Sequence, residues 1–198
     1  AGGKSEFEPG SKAAYSNSNY VLLSILLEKI YRKPYGRLLK KQITKPLGLK
    51  YTALGGKIDP EKNQSLSYKY DHTWKSEPET DISVPLGAGG IVSTPSDLVK
   101  FSDALFGGKV VSAKSLAQMM DFRDQFGLGL IRLPFYDRMA PGHTGGIDGF
   151  ASIFCHFPED KISYAMTSNG SNTSTNNVSI AVLSAVFGKP YEIPDFKV

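Results

Sequence analysis

A glycine-rich segment that runs into an alternating apolar pattern constrains the fold of this 198-residue chain most strongly. The segment is Gly142–Phe150, and the alternation begins at its last residue. Four apolar residues then share one face: Ala151, Ile153, Cys155 and Phe157. This period of two predicts a β-strand over 147–157 with one face against a core. Glycines just before such a strand allow a ligand or another chain to lie close to its backbone.

The pair His143-Thr144 lies inside this segment and places an imidazole and a hydroxyl beside backbone N–H groups. A strand edge of this kind is able to bind an anion or a developing oxyanion. The alternative is a glycine-rich turn that only precedes a core strand. These residues alone leave both interpretations open.

Composition narrows the class of protein. With 40% hydrophobic and 21% charged residues, the chain is too apolar for a disordered segment and long enough for one core, or one domain with a lobe. The net charge is +4, and much of the basic excess lies within residues 29–50. A nucleic-acid surface would carry such charge, but no binding motif or aromatic interleaving accompanies it. A solvated helix face is therefore favoured, and no nucleic-acid partner is predicted.

Membrane spans, disulfides and metal sites are not predicted. No apolar run approaches the roughly 18 residues that a transmembrane helix needs. The single cysteine, Cys155, excludes an internal disulfide. Cys155 and His156 are neighbours on a strand, so they point to opposite faces and cannot form a catalytic pair. The histidines His72, His143 and His156 lack metal-ligand spacing, so neither a metal nor another cofactor is expected.

The first half of the chain is expected to be mainly helical. The polar cluster at residues 15–19 is able to cap a helix over Tyr20–Ile30, which is apolar on most faces and is expected to be deeply buried. A shorter amphipathic helix is predicted at about 35–44. Residues 51–88 are predicted to form a long loop region with room for one short hairpin, and long loops are often functional.

The remaining elements give an α+β pattern. Thr94 is the predicted N-cap of a helix, with Asp97 completing a variant of the capping box, and a further helix follows Ser112. Strands are predicted over 126–133, 147–157 and 162–167, and the last two are expected to pair as an antiparallel hairpin. A helix at about 176–187 closes the chain. Helices followed by an antiparallel sheet indicate the α+β class.

Two groups of neighbouring residues have side chains that could take part in catalysis or substrate binding. Tyr15-Ser16-Asn17 lies at the mouth of the first apolar helix, where a tyrosine could shuttle a proton and an asparagine could donate to a substrate carbonyl. The other group is His143-Thr144-Gly145-Gly146. The alternative for Tyr15 is an aromatic residue that only packs near a helix cap.

Together these residues resemble the serine β-lactamase and penicillin-binding protein superfamily, and most of all its class C β-lactamases, D-alanyl-D-alanine carboxypeptidases and related esterases. The resemblance implies a β-lactamase/transpeptidase-like fold with an antiparallel sheet flanked by helices plus a helical region. It follows nearly the whole chain in order through these segments: Phe7–Gly10, Tyr15–Tyr20, Leu22-Leu23, Pro46–Leu49, Tyr51-Thr52, Gly89–Leu98, His143–Gly145 and Asn169-Gly170.

The resemblance also implies roles for the site residues. Tyr15 would be the general base or proton shuttle, and Asn17 would bind the amide side chain of the substrate. His143 would replace the lysine common in β-lactamases, which favours carboxypeptidase-like or esterase-like members. Thr144 and the neighbouring Gly145 would bind the substrate, with the Thr144 hydroxyl on its carboxylate. The Gly146 N–H would donate to the oxyanion.

One element of the family pattern is not found. The nucleophile of the family is the serine of a Ser-x-x-Lys motif, and no lysine here has a serine three residues before it. Residues 1–198 are therefore expected to be the C-terminal portion of one β-lactamase-like domain that is incomplete at its N-terminus, with helices and loops over 1–120 and sheet plus helix over 121–198. A fragment and a truncated or split gene are both compatible with this expectation.

Three functions remain open from the sequence. The first is part of a serine hydrolase acting through an acyl-enzyme on β-lactams, D-amino-acid peptides or esters, with this chain inactive alone. The second is an inactive binding module or pseudoenzyme for a peptidoglycan-like ligand. The third is a structural fragment. The expected partners are a small-molecule or peptide substrate and either the missing N-terminal segment or a swapped copy, and the expected location is periplasmic or secreted.

Overall fold

The computed structural model describes residues 4–196 and has the α+β class predicted from the sequence. The α-helices are α1 (Asn17–Tyr31), α2 (Tyr35–Leu39), α3 (Lys45–Leu47), α4 (Pro95–Phe106), α5 (Ala113–Met119) and α6 (Thr175–Val186). The strands are β1 (Ala53–Leu54), β2 (Tyr68–Asp71), β3 (Thr73–Ser76), β4 (Ile91–Val92), β5 (Ile131–Phe135), β6 (Arg138–Ile147), β7 (Phe150–Phe157) and β8 (Ile162–Ser168).

The main sheet is antiparallel, with the strand order β5-β6-β7-β8. The predicted hairpin of β7 and β8 is confirmed. The prediction of one strand over 147–157 is wrong, because β6 ends at Ile147 and the chain turns through Asp148 (φ 52°) and Gly149 before β7 begins. The strand predicted over 126–133 is displaced, since pairing with β6 begins only at Ile131.

Helices cover both faces of this sheet. On one face, Leu183 of α6 joins a buried cluster with Phe135, Ala140, Cys155 and Phe157. On the other face, α4 sets Phe101 against Phe154, with ring centroids 6.1 Å apart, and stacks Phe106 on His156 at 4.6 Å.

Cys155 and His156 accordingly point to opposite faces of β7, as expected for neighbours on a strand. Burial raises the pKa of the Cys155 thiol to about 12. The thiol is therefore neutral, and Cys155 is a small core residue.

Helix α1 starts where its polar cluster predicts, since the Ser16 hydroxyl accepts a hydrogen bond from the Asn19 N–H. The prediction that α1 is deeply buried is wrong. Its one buried residue is Ser24, whose hydroxyl accepts from the Gly87 N–H at 3.2 Å and donates to the Tyr20 carbonyl at 2.7 Å. Tyr20 and Val21 are half-buried, but seven other apolar or aromatic side chains are 38–64% exposed: Leu22, Leu23, Ile25, Leu26, Leu27, Ile30 and Tyr31. The apolar pattern requires a covering surface, and within residues 4–196 no element supplies it.

The helical stretch predicted at 35–44 is confirmed but extends further. It consists of α2, a π-helical turn over Lys40–Thr44 and α3, and it ends at Gly48, whose φ of 65° suits glycine. Leu38 and Leu39 are buried, whereas the basic residues of this stretch are exposed.

Helix α4 has the predicted N-cap, but its capping box is incomplete. The Thr94 hydroxyl accepts from the Asp97 N–H. The Asp97 carboxylate instead accepts from the Tyr51 N–H at 2.7 Å and the Thr52 hydroxyl at 2.9 Å. Asp97 is 1% exposed, so this contact fixes the start of the long loop region onto α4. Within that region β2 and β3 form the expected short hairpin.

Candidate active site

The pairing of strand β6 with its neighbours changes at Gly142. This residue pairs with Ile131 of β5 on one side and Cys155 of β7 on the other. From His143 to Ile147, β6 pairs with β7 alone among the described strands. Every second residue of such an edge directs its N–H and C=O groups away from the sheet. The predicted stretch is thus a strand edge with unpaired backbone groups, which a ligand can approach.

The glycines of β6 have different physical explanations. A Cβ on Gly142 would lie within 2.7 Å of the Cα of Cys155, and one on Gly145 would lie 2.5 Å from the Ser152 hydroxyl. A Cβ on Gly146 would meet nothing closer than the Phe150 carbonyl oxygen at 3.9 Å. Neighbouring atoms therefore explain Gly142 and Gly145, whereas Gly146 borders open space.

Tyr15, Asn17 and His143 come together at the start of this free edge. The Tyr15 hydroxyl donates to the Asn17 Oδ1 at 2.9 Å, and the centroids of the Tyr15 and His143 rings are 6.0 Å apart. Because Tyr15 occupies Oδ1, the Asn17 amide presents its N–H groups to a ligand. Beside Tyr15 lies a cleft of about 310 Å³ that also includes Ser5, Phe7 and Asn19.

His143 is held in one tautomer. Its Nδ1 lies 2.5 Å from the Thr144 carbonyl oxygen, which can only accept a hydrogen bond, so Nδ1 carries the hydrogen. In the neutral ring, Nε2 then has a free lone pair and is able to accept a proton. The predicted residues therefore form two connected groups, Tyr15 with Asn17 and His143 with Thr144, next to Gly145 and Gly146.

The hydrogen-bond partners of the Tyr15 hydroxyl and the His143 ring are Asn17 and the Thr144 carbonyl. Within residues 4–196, no serine or cysteine side chain is hydrogen-bonded to the Tyr15 hydroxyl or the His143 ring. The same residues contain no cluster of three or more histidine, cysteine or acidic side chains able to hold a metal ion. No helix among them is long and apolar enough to span a membrane.

Sequence reasoning missed the turn that supports Tyr15. Arg123 and Phe126 exchange two backbone hydrogen bonds around Asp124 and Gln125, both at positive φ (47° and 73°). The Phe126 ring lies 6.2 Å from the Tyr15 ring, between centroids, and the Asp124 carboxylate accepts from the N–H of Ala13 at 3.2 Å.

A second set of contacts ties α1 to the same region, because the Tyr20 hydroxyl accepts from the Gly129 N–H at 2.7 Å. The signal was the Phe126-Gly-Leu-Gly129 sequence, which indicates a close approach of backbone rather than a regular strand.

The long loop region is fastened to the far end of the free edge. The Asp148 carboxylate accepts from the Thr80 hydroxyl at 2.6 Å and from the Thr80 N–H at 3.1 Å. The Gly149 N–H donates to the Ser67 hydroxyl at 3.1 Å. Ser67 and Thr80 of this loop region therefore stand beside the turn that follows Ile147.

Comparison with known proteins identifies the family. The model of the family described as Beta-lactamase matches residues 2–187. The chain belongs to the Beta-lactamase family. Penicillin-binding protein 4* of Bacillus subtilis (strain 168) is 27% identical over 96% of this chain and 47% of that protein. The D-alanyl-D-alanine-carboxypeptidase/endopeptidase AmpH of Escherichia coli (strain K12) is also 27% identical, over 94% of this chain and 54% of that protein.

Solved structures agree with this family and its β-lactamase/transpeptidase-like fold. The D-amino acid amidase of Ochrobactrum anthropi SV3, in complex with D-phenylalanine, is 29% identical over 83% of this chain and 54% of the amidase, with a TM-score of 0.74. The octameric penicillin-binding protein homologue of Pyrococcus abyssi is 24% identical over 92% and 44%, with a TM-score of 0.76, and shows the shared fold. The chain spans about half the length of the family relatives it matches.

Proposed function

We propose that this chain is part of a serine hydrolase that forms an acyl-enzyme with D-amino-acid peptides or amides, β-lactams or esters. One observation carries the proposal: the free edge of β6 begins at His143, and the Tyr15–Asn17 pair stands beside that residue. The relatives named for D-alanyl peptide and D-amino acid amide chemistry support the same substrate class.

The free strand edge would bind the substrate. An extended substrate would lie along β6 as an added strand, which gives it backbone hydrogen bonds. Asn17 would donate an N–H to the substrate amide carbonyl, and the exposed Thr144 hydroxyl would contact its carboxylate. The Gly146 N–H, on the free edge of β6, would donate to the oxyanion. The second donor would be the N–H of the nucleophilic serine.

Proton transfer would use Tyr15 and His143. As the serine oxygen bonds to the carbonyl carbon, its proton would pass to this pair and then to the leaving amine or alcohol. A water molecule would hydrolyse the acyl-enzyme by the reverse transfers.

The serine would come from a polypeptide segment carrying Ser-x-x-Lys. We infer that this segment precedes residue 1 in the folded domain, of which this chain would be the C-terminal portion, and that it covers the exposed face of α1. Because α1 begins at Asn17, a segment packed on α1 reaches the mouth of the site. The assembled protein would act outside the cytoplasm, in the periplasm or after secretion.

The first experiment measures the intact mass of this chain after incubation with benzylpenicillin or a fluorophosphonate. We expect no adduct, because the nucleophile lies outside these residues. A stable adduct on any serine of the chain would contradict this assignment.

The second experiment fuses the N-terminal half of Penicillin-binding protein 4*, which we expect to carry the Ser-x-x-Lys serine, to this chain. We expect an adduct on that serine, with Tyr15→Phe slowing its formation at least tenfold. Tyr191→Phe, at an exposed tyrosine outside the site, is the matched control. A folded fusion that forms no adduct would favour the inactive binding module instead.

A further inference from the structure

A second, larger cleft lies outside the candidate active site. It measures about 540 Å³ and is bordered by the β2–β3 hairpin and by the segment between β8 and α6. None of the residues assigned to the hydrolase site lines it. The residues that do so are Tyr70, Asp71, His72, Ser171, Asn172, Thr173, Ser174 and Asp195.

Two aromatic side chains stand at the hairpin side of this cleft. Tyr70 and Trp74 face each other across β2 and β3, with ring centroids 5.3 Å apart. The Trp74 ring also lies close to Gly170, since a Cβ added to that glycine would be 3.0 Å from the ring. Gly170 directly precedes Ser171, which lines the cleft. Trp74 is nevertheless 50% exposed, so its ring is available to a ligand at the rim of the cleft.

The hairpin is held firmly against the sheet. The Tyr68 N–H donates to the Asn169 carbonyl at 2.8 Å, and the Asn169 side chain donates to the Leu66 carbonyl at 2.9 Å. Lys75 pairs with Asp71 within the hairpin at 2.8 Å. The aromatic pair and the cleft are therefore positioned before any ligand binds, which reduces the entropy lost on binding.

The lining selects one class of ligand. Its polar groups are short hydroxyl side chains, the Asn172 amide and two carboxylates, Asp71 and Asp195, and His72 is its one basic side chain among residues 4–196. Two carboxylates disfavour a phosphate or nucleic acid, and the described lining holds no aliphatic side chain on which an apolar peptide residue could pack. Hydroxyl and carboxylate groups beside aromatic faces suit a carbohydrate, whose hydroxyls form hydrogen bonds while its C–H face lies on a ring.

The position of the cleft connects it to the catalytic strand. Gly146 of β6 is in register with Ala151 of β7, and Ala151 with Ser168 of β8. Strands are about 4.8 Å apart, so Ser168 lies about 10 Å from Gly146 at the same end of the sheet. The cleft begins three residues beyond Ser168.

We propose that the cleft between the β2–β3 hairpin and Ser171–Ser174 binds a neutral oligosaccharide. Resting on the proposed function, this glycan would be the polymer to which the hydrolysed D-amino-acid group is attached. The cleft would then hold the polymer while the attached group lies along β6.

The test uses this chain and the tetramer of N-acetylglucosamine as the probe. Trp74 is the single tryptophan in the sequence, and its ring lies against Tyr70, which lines the cleft, so its fluorescence serves as the signal. We expect a saturable change in emission, with Tyr70→Ala weakening binding at least fivefold and Ser171→Ala weakening it less. Tyr51→Ala, at a tyrosine that is 70% exposed elsewhere, is the matched control and is expected to bind as the unsubstituted chain does.

Several outcomes would overturn the inference. A folded chain with no saturable change, or an unchanged affinity in Tyr70→Ala, would remove the subsite. A response to an acetylated D-alanyl peptide but not to the sugar would reassign the cleft to peptide. Because binding needs no nucleophile, this result is independent of the acylation experiment. Sugar binding without acylation of the fusion would leave a glycan-binding module and refute the hydrolase.

Discussion

Helices α1 and α6 are both rich in aliphatic residues, yet they occupy opposite environments. Leu183 of α6 is 5% exposed and packs into the cluster formed by Phe135, Cys155 and Phe157. The only buried residue of α1 is Ser24, while Leu22 and Ile30 are 64% and 63% exposed. One helix closes a core that this chain builds, and the other presents an apolar face that the described residues leave uncovered.

The difference separates two kinds of apolar surface. Around α6 the covering elements, β5 to β8, belong to the same stretch of chain, so the core closes locally. Around α1 the contacts are few and come from short segments: the turn near Gly87, the Gly129 backbone and the start of α2 at Tyr35. Strand β6 repeats the contrast, because it is enclosed up to Gly142 and open from His143 onward. The open surfaces are those where we propose that substrate and a further segment bind.

The largest expected effect comes from truncating the closed core. Phe157→Ala should lower the free energy of unfolding by about 3–5 kcal/mol, because it removes a fully buried ring. Leu23→Ala, on the exposed face of α1, is the matched control and should change it by less than about 0.5 kcal/mol. Urea denaturation measures both. Equal losses would show that the α1 face is covered in solution, for instance by a second copy.

A pair of glycine substitutions tests the same contrast within one strand. Gly142→Ala should destabilise by about 1–3 kcal/mol, since the added methyl would overlap the backbone of Phe154 and Cys155. Gly146→Ala should stay within about 0.5 kcal/mol, because open space surrounds it. Thermal unfolding compares them. A large loss at Gly146 would mean that packing, not ligand access, explains that glycine.

The contact between α4 and the sheet is expected to weaken in acid. Burial lowers the pKa of His156, although the nearby Asp103 carboxylate acts in the opposite direction. The folded chain then binds fewer protons than the unfolded chain, so stability is full above the ordinary histidine pKa and falls as pH drops below it. The ring stacks on Phe106, and its Nδ1 lies 2.9 Å from the Ser163 hydroxyl.

Denaturation midpoints between pH 7 and 5 measure this dependence. His156→Phe, which keeps the stacked ring, should flatten the slope. His72→Gln, at a side chain that is 99% exposed, should leave it unchanged. A slope that persists in His156→Phe would assign the acid sensitivity to another group.

The smallest change in stability is expected on the open face itself. Replacing Leu23 and Leu26 with lysine should leave the free energy of unfolding nearly unchanged, because both side chains are 51% exposed. The same change should reduce binding of a hydrophobic dye and any self-association seen by sedimentation velocity. Marked destabilisation would instead show that this face takes part in the core.

Local signals in the sequence located most helix ends correctly. Ser16, Thr94 and Ser112 each accept a hydrogen bond from an N–H in the first helical turn, and such contacts depend only on neighbouring residues. The β7–β8 hairpin was predictable for the same reason, since a short connection joins strands with a clear period of two. The inward direction of Cys155 followed from that period.

Strand β6 was not predictable as a separate element. Its glycines and Pro141 weaken the local preference for a strand, and its extended form depends on pairing with β5 and β7. The late start of β5 has a similar cause. The left-handed residues Asp124 and Gln125 and the close contact of Gly127 with the Met119 carbonyl hold residues 123–130 in turns.

The sequence by itself indicated the family, the order of most elements and a set of candidate site residues, because motifs, caps and periodic faces are local properties. Only the tertiary structure decided that Tyr15 meets His143, that β6 has a free edge and that α1 is exposed. Burial and pairing depend on which distant elements supply a neighbour. The apolar pattern of a helix indicates that it packs against a neighbour, but it does not indicate which part of the chain supplies that neighbour.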